Sequence, residues 1–227
     1  MRICILGTGM VAQTLGGKLL ELGHEVTFGT RDVAATLARA DPDPYGRPGF
    51  GVWLQQHPGA RAATFANAAQ SAELVINATS GAGSLPALEQ AGEANIGGKI
   101  LMDVSNPLDF SRGMPPTLSV CNTDSLGEQI QRAHPGARVV KTLNTVTASL
   151  MIDPDQLAGG EHSLFVSGND AEAKAEVARL LAAWFGWKHV IDLGDITTAR
   201  GTEMYLPLWL RLWGALGTGV LNIKVVR

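Results

Sequence analysis

The chain has 227 residues, 45% hydrophobic and 17% charged, with a formal net charge of −3. That length and composition suit a packed core and argue against disorder, and the slight acidity leaves no basic footprint for a nucleic acid. The cysteines, Cys4 and Cys121, form no paired motif that holds zinc. Cys4 falls in an apolar run and reads as a small buried thiol.

Arg2–Leu6 reads as a strand ending in glycine, with no apolar secretory leader, so a cytoplasmic location is the expectation. Val11, Leu15, Leu19 and Leu22 recur at helical spacing, and Gly23 closes that helix. Glu25–Phe28 is a second strand and Asp32–Ala40 a second helix. The Pro- and Gly-rich stretch Asp41–Gly51 is a loop and a candidate lid over a ligand. Strands are then expected at Arg61–Phe65, Glu73–Ala78, Lys99–Val104 and Arg138–Leu143, with helices at Ser84–Ala91 and Ser125–Ala133. In the last third come a strand at His162–Ser167, a helix at Ala171–Phe185, a strand at His189–Asp192 and a mostly helical Thr197–Gly219. The apolar stretch Leu206–Val220 is broken by Pro207 and Arg211 and is shorter than the roughly 20 residues of a spanning helix, so it reads as a packed or dimer-forming helix.

The chemistry begins at Gly7-Thr8-Gly9-Met10-Val11-Ala12, a G-x-G-x-x-A turn between the first strand and first helix. Gly7 permits the tight turn, Gly9 lets a pyrophosphate approach the backbone, and Ala12 lets helix and strand pack closely. The helix N-terminus offers free N–H groups to phosphate. With the strand–helix alternation, this gives an α/β fold of Rossmann type: a doubly wound, mainly parallel sheet over residues 1–145, with a small α/β C-terminal extension over 146–227. An NAD-binding second strand ends in Asp or Glu; here Thr30 and Arg31 stand at its tip, and with Thr8 they suit the 2′-phosphate of NADP(H). Asp32 is placed to cap the second helix.

Ligands of open parallel sheets lie beyond the carboxyl ends of the strands. Three such ends are small and polar: Asn77-Ala78-Thr79-Ser80-Gly81, Asp103-Val104-Ser105-Asn106-Pro107 and Thr142-Leu143-Asn144-Thr145-Val146. Together they suit the surroundings of a nicotinamide ring. Ala78, Thr79, Ser80, Asn106 and Asn144 are the candidate cofactor residues, and Pro107, Thr145 and Val146 line the substrate side. No hydrolytic motif is present. His24, His57 and His134 sit beside Gly or Pro in expected exposed turns, and no histidine has an evident acid partner. Asp153, Asp155, Asp192, Asp195 and Glu203 read as caps and surface charges rather than a metal cluster. With no catalytic acid or base assigned, hydride transfer between a nicotinamide and a flavin-like ring fits best, because it asks for orientation more than proton transfer.

These residues resemble the NADPH-dependent reductases of the deazaflavin coenzyme F420 and the related reductase domain of six-transmembrane metalloreductases. The resemblance rests on Gly7–Ala12, Gly29-Thr30-Arg31, Asp103–Pro107, Val140–Thr145, Asp192–Asp195, Thr198–Arg200 and Leu206–Leu208. It implies a homodimer, NADP(H) with its 2′-phosphate near Thr8, Thr30 and Arg31, and direct hydride transfer to a flavin or deazaflavin (F420, FMN or FAD) near Thr79, Ser80, Asn106, Pro107, Asn144 and Thr145. Two other readings stay open: a reductase of a small imine or carbonyl compound, and a non-catalytic NADP(H)-sensing module.

Overall fold

A strand covered on both faces buries successive side chains in opposite cores, and the first strand does so from Ile3 on: Ile3 and Ile5 join one hydrophobic core, Cys4 and Leu6 the other. The computed structural model describes residues 1–42 and 46–227. In chain order the elements are β1 (Arg2–Leu6), α1 (Met10–Glu21), β2 (Glu25–Thr30), α2 (Val33–Leu37), α3 (Phe50–Gln56), β3 (Ala60–Thr64), α4 (Phe65–Gln70) and β4 (Leu74–Asn77). There follow α5 (Gly81–Ala91), α6 (Glu93–Ile96), β5 (Ile100–Asp103), β6 (Leu108–Asp109), β7 (Thr117–Leu118), α7 (Leu126–Ala133), β8 (Arg138–Thr142) and α8 (Ala148–Ile152). The chain ends with β9 (Leu164–Ser167), α9 (Ala171–Phe185), β10 (Val190–Asp192), α10 (Ala199–Met204) and α11 (Leu206–Leu216).

Eight strands form one sheet in the order β10-β9-β8-β5-β4-β1-β2-β3, and β6 and β7 form a separate hairpin. All sheet pairings are parallel except β8 with β9, where Thr142 faces Val166. Strand order reverses direction between β1 and β4, the switch point at which doubly wound sheets open a crevice. The residues after 146 supply β9 and β10 to the same sheet, and α9 packs its buried face, including Val177 and Leu181, into the core that also holds Ile3 and Ile5.

Several local expectations change. The second strand runs on to Thr30, so Gly29 and Thr30 pair with Ala63 and Thr64 inside the sheet. The second helix stops at Leu37, and the Asp32 carboxylate caps it by accepting the Ala35 N–H at 2.9 Å. The Asp41–Gly51 loop gives way at Phe50 to α3, whose Phe50 and Trp53 pack edge-on against Phe28; Pro44 of that loop lies outside the described residues. The three histidines expected in exposed turns, His24, His57 and His134, are not exposed. His134 is buried with Nδ1 3.1 Å from Glu93 Oε2, while half-buried His24 and His57 lie against Trp184 and Trp53, because aromatic side chains cover these turns. His189 faces Glu161 at 3.3 Å, a second acid partner that the local sequence did not signal.

The motif-rich tail is a set of ties. Asp192 Oδ1 accepts the Gly194 N–H and the Lys174 ammonium, fixing β10 to α9. Arg200 holds Glu128 of α7 through two nitrogens, with Nε at 2.8 Å, and keeps that carboxyl below its ordinary pKa. Cys4 is buried, and burial pushes its thiol up to about 12. Among the described residues no helix is long and apolar enough to cross a membrane.

Candidate active site

The crevice is shaped first by backbone contacts at the switch point. Gly7 leaves β1 with φ +107°, and a Cβ there would stand 2.8 Å from the Ala78 carbonyl oxygen beyond β4. Only glycine accepts both that conformation and that approach. Gly81 opens α5, and a Cβ on it would come within 2.3 Å of the Asn106 carbonyl oxygen, so the β4 and β5 loops also touch.

Two clefts lie along this line. One, of about 300 Å³, is bounded by Thr8, Gly9, Met10, Gln13, Arg39 and the Arg47–Phe50 segment. The other, of about 470 Å³, is bounded by Val11, Ala78, Thr79, Ser80, Gly81, Ser105, Asn106 and the β6 hairpin with Asp109 and Phe110. The first turn of α1 contributes to both, Met10 to one and Val11 to the other. That turn has no side-chain cap and no acidic residue, so its N–H groups remain available to an anion. A Cβ placed on Gly9 would meet nothing within 4 Å, which leaves the space a pyrophosphate needs.

The remaining candidate residues take other places. Thr30 is buried and its hydroxyl shares a 2.7 Å hydrogen bond with Thr36 Oγ1, tying the end of β2 to the last turn of α2. Arg31 is exposed and borders neither cleft; Arg39, which no sequence signal marked, donates to the Thr8 hydroxyl. Asn144 is buried and exchanges hydrogen bonds with Asn106, its Nδ2 donating to Asn106 Oδ1 at 3.0 Å and its carbonyl accepting Asn106 Nδ2 at 2.8 Å. Leu143, at φ 60°, makes the turn that precedes it. Pro107 and Thr145 are buried, and Val146 packs in the core; Thr145 Oγ1 has no hydrogen-bond partner among the described residues.

Beneath the larger cleft lies a buried polar network. Lys141, 1% exposed, donates to Asp103 Oδ2 at 2.9 Å and to the Ser105 carbonyl at 2.6 Å, and stands 2.8 Å from Glu203 Oε1. Asp103 Oδ1 accepts Ser105 Oγ at 2.7 Å and Asn77 Nδ2 at 2.9 Å. Asn77 Oδ1 then accepts the Thr79 hydroxyl at 2.7 Å, and Thr79 shares a 2.9 Å hydrogen bond with Ser84. One ammonium would leave a surplus negative charge, but Glu203 also accepts the Leu126 and Gly127 N–H groups, at 2.8 and 3.0 Å, at the N-terminus of α7. The helix dipole offsets that charge. Burial lowers the Lys141 pKa, but the two carboxylates outweigh it and hold the group above its ordinary value. Glu203 is therefore a buried ion-pair partner and not the surface charge expected of it.

A signal for Lys141 was present in the sequence. It sits within Val139-Val140-Lys141-Thr142-Leu143, and a lysine inside a central, doubly covered strand must find an acid. For Arg39 and Glu203, whose partners are 31 residues or more away, no comparable local signal exists.

Together, the clefts and network form a crevice with one open end at the glycine turn and one firmly braced end at the β4 and β5 loops. The sequence profile of the family described as NADP oxidoreductase, coenzyme F420-dependent, matches residues 2–107. A crystallised candidate F420-dependent NADP-reductase from Arthrobacter sp. FB24 is 63% identical over 100% of both chains, with a TM-score of 0.95. Metalloreductase STEAP3 of Rattus norvegicus is 27% identical over 213 residues, 92% of this chain, and the chain spans 38% of that protein's length. A reductive aminase from Aspergillus terreus, in complex with NADPH and ethyl levulinate, shares the fold at 20% identity and a TM-score of 0.63, over 95% of this chain and 62% of that one. The chain belongs to the family of coenzyme F420-dependent NADP oxidoreductases and is an NADP-dependent oxidoreductase.

Proposed function

We propose that the chain transfers a hydride between NADP(H) and a flavin or deazaflavin acceptor, with F420, FMN and FAD as the candidates. The observation that carries this reading is the ring-end cleft itself. Its wall is apolar side chains, Leu108 and Phe110 among them, with the hydroxyls of Thr79, Ser80, Ser105 and Ser119 and the Asn106 amide, and Asp109 is the one charged residue among those lining it. No histidine, lysine or arginine lines it, so the wall is suited to orienting flat rings rather than exchanging protons with them.

NADPH supplies the hydride when bound; the chain supplies position. Gly7, Gly9 and the free N–H groups of α1 accommodate the pyrophosphate, with Thr8, Met10 and Val11 on either side. Ala78, Thr79, Ser80 and Asn106 receive the nicotinamide. Thr79 is held by Asn77 and Ser84, and Asn106 by Asn144, so both loops keep one arrangement. Lys141 and its carboxylates brace these loops from below. In the same reading a second copy of the chain covers the apolar surface of Leu208 and Leu216, 55% and 61% exposed.

One observation favours a second reading, reduction of a small cationic imine. The Asp109 carboxylate in the cleft wall accepts the Ser111 N–H at 2.8 Å and the Ser111 hydroxyl at 3.0 Å, bonds that lower its pKa and keep it charged. The test is anaerobic mixing with NADPH or NADH and, in turn, F420, FMN, FAD and a cyclic imine, following nicotinamide absorbance. Fast NADPH oxidation with a ring acceptor supports the first reading. Turnover with the imine alone supports the second, and faster turnover with NADH overturns the NADP(H) assignment.

A further inference from the structure

The buried network also sets the direction of the hydrogen bonds that the ring-end cleft can offer. The Asp103 carboxylate is paired with Lys141 and can only accept. Its Oδ1 takes the Ser105 hydroxyl proton at 2.7 Å and an Asn77 Nδ2 proton at 2.9 Å. With its NH2 group turned to Asp103, Asn77 presents Oδ1 to Thr79, and that oxygen takes the Thr79 hydroxyl proton at 2.7 Å. Beside β7, the Ser119 hydroxyl donates to the Pro107 carbonyl at 3.3 Å. Thr79, Ser105 and Ser119 thus spend their protons inside the protein and offer a ligand lone pairs alone. The side-chain donors left to a ligand are the hydroxyl of exposed Ser80 and the Asn106 N–H not given to the Asn144 carbonyl.

Asp109 adds to the same polarity. It is half-buried in the cleft wall, and the hairpin turn fixes it through the Ser111 N–H on Oδ1 and the Ser111 hydroxyl on Oδ2. Each oxygen keeps capacity to accept again. These bonds, with the charge of Arg112 in the same turn, hold the carboxyl below its ordinary pKa. Arg112 is exposed and does not line the cleft, so the carboxylate is the charge that a ligand there meets.

We propose that this cleft selects a hydride acceptor that carries an N–H group, and that Asp109 receives that group. The inference rests on the hydride-transfer reading and narrows it. The pyrimidinedione ring of a flavin or deazaflavin carries an imide N–H, and the N–H of a protonated imine meets the same need. A quinone, flat and equally able to take a hydride, has none. A ring that cannot donate strips water from the carboxylate and gives it no partner, a cost that falls on the wrong acceptor alone.

The experiment follows anaerobic NADPH oxidation by the full chain with two matched pairs of acceptors. One pair is lumiflavin and 3-methyllumiflavin, in which a methyl replaces the imide proton; the other is protonated 1-pyrroline and N-methyl-1-pyrrolinium. In the pair that turns over, kcat/KM of wild type for the N–H member is expected to exceed that for the methylated one by about tenfold to a hundredfold. Asp109→Ala is expected to bring that ratio within about threefold, and Asp109→Asn, which keeps the shape and one accepting oxygen, falls between. A wild-type ratio near one overturns the proposal. So does a ratio that is the same in all three proteins, since the discrimination is then steric. If wild type oxidises NADPH with neither pair, the proposed function fails and the inference with it.

Discussion

At the β1–β2 end of the crevice the lining groups are largely open to solvent and come from two nearby stretches of sequence, residues 8–13 and the described part of 39–50. At the β4–β5–β8 end they are buried and come from residues as distant as Asn77 and Glu203. In the proposed reading this end is a receptor: a glycine turn, the uncapped N–H groups of α1 and the Arg39 guanidinium beside Thr8, which a charged ligand can engage. The ring end is a brace, in which Lys141, Asp103 and Glu203 satisfy one another and no member lines the cleft. In the proposed function, affinity and specificity for the dinucleotide belong to the first region and the geometry of transfer to the second. Substitutions in one should leave the other's property largely intact.

The largest expected effect breaks the brace. Lys141→Met removes the cation between two buried carboxylates and is expected to cost about 3–5 kcal/mol, read as a lower urea midpoint. A loss under about 1 kcal/mol would show that the network contributes little. Next comes Gly81→Ala, whose new methyl meets backbone at 2.3 Å and must push the β4 and β5 loops apart. Displacement of that order is expected to slow hydride transfer by about a hundredfold while 2′,5′-ADP binding stays near wild type. Equal loss of both would dissolve the distinction between the two ends.

How far the sequence reaches follows the same division. The alternation of apolar runs, the glycine turn and the Asp32 cap are local signals, and the structure places them where the pattern predicts. The ring end is legible only in outline. Three polar strand ends are visible in the sequence, but their bracing depends on Lys141 reaching Glu203 of α10, and pairing across the fold has no local pattern. Helix α3 was hidden by the Pro- and Gly-rich loop before it, and the β6–β7 hairpin has strands of two residues, too short for a period. The tail motifs, conspicuous in sequence, prove to be ties between elements rather than parts of the cleft.

Two smaller effects sharpen the comparison. Arg200 lowers the Glu128 pKa in the folded chain, so the pair's contribution is present above the ordinary glutamate range and is lost as pH falls below that range through the lowered folded pKa. Glu128→Gln is expected to cost about 1 kcal/mol near neutral pH, with the gap to wild type closing in thermal melts toward pH ~3. A gap that stays constant with pH would assign the effect to packing. At the phosphate end, Asp32→Ala removes the cap of α2 and is expected to cost about 0.5–1 kcal/mol, measured by the same melts, with transfer rates unchanged.

The most direct test of the two-ended crevice is a crystal structure of the chain with NADP+. The account predicts the pyrophosphate at the N-terminus of α1 beside Gly9, the 2′-phosphate beside Thr8, and the nicotinamide between the Ala78–Gly81 and Ser105–Asn106 loops. A dinucleotide bound with its ring away from those loops, or with its 2′-phosphate distant from Thr8, would contradict it.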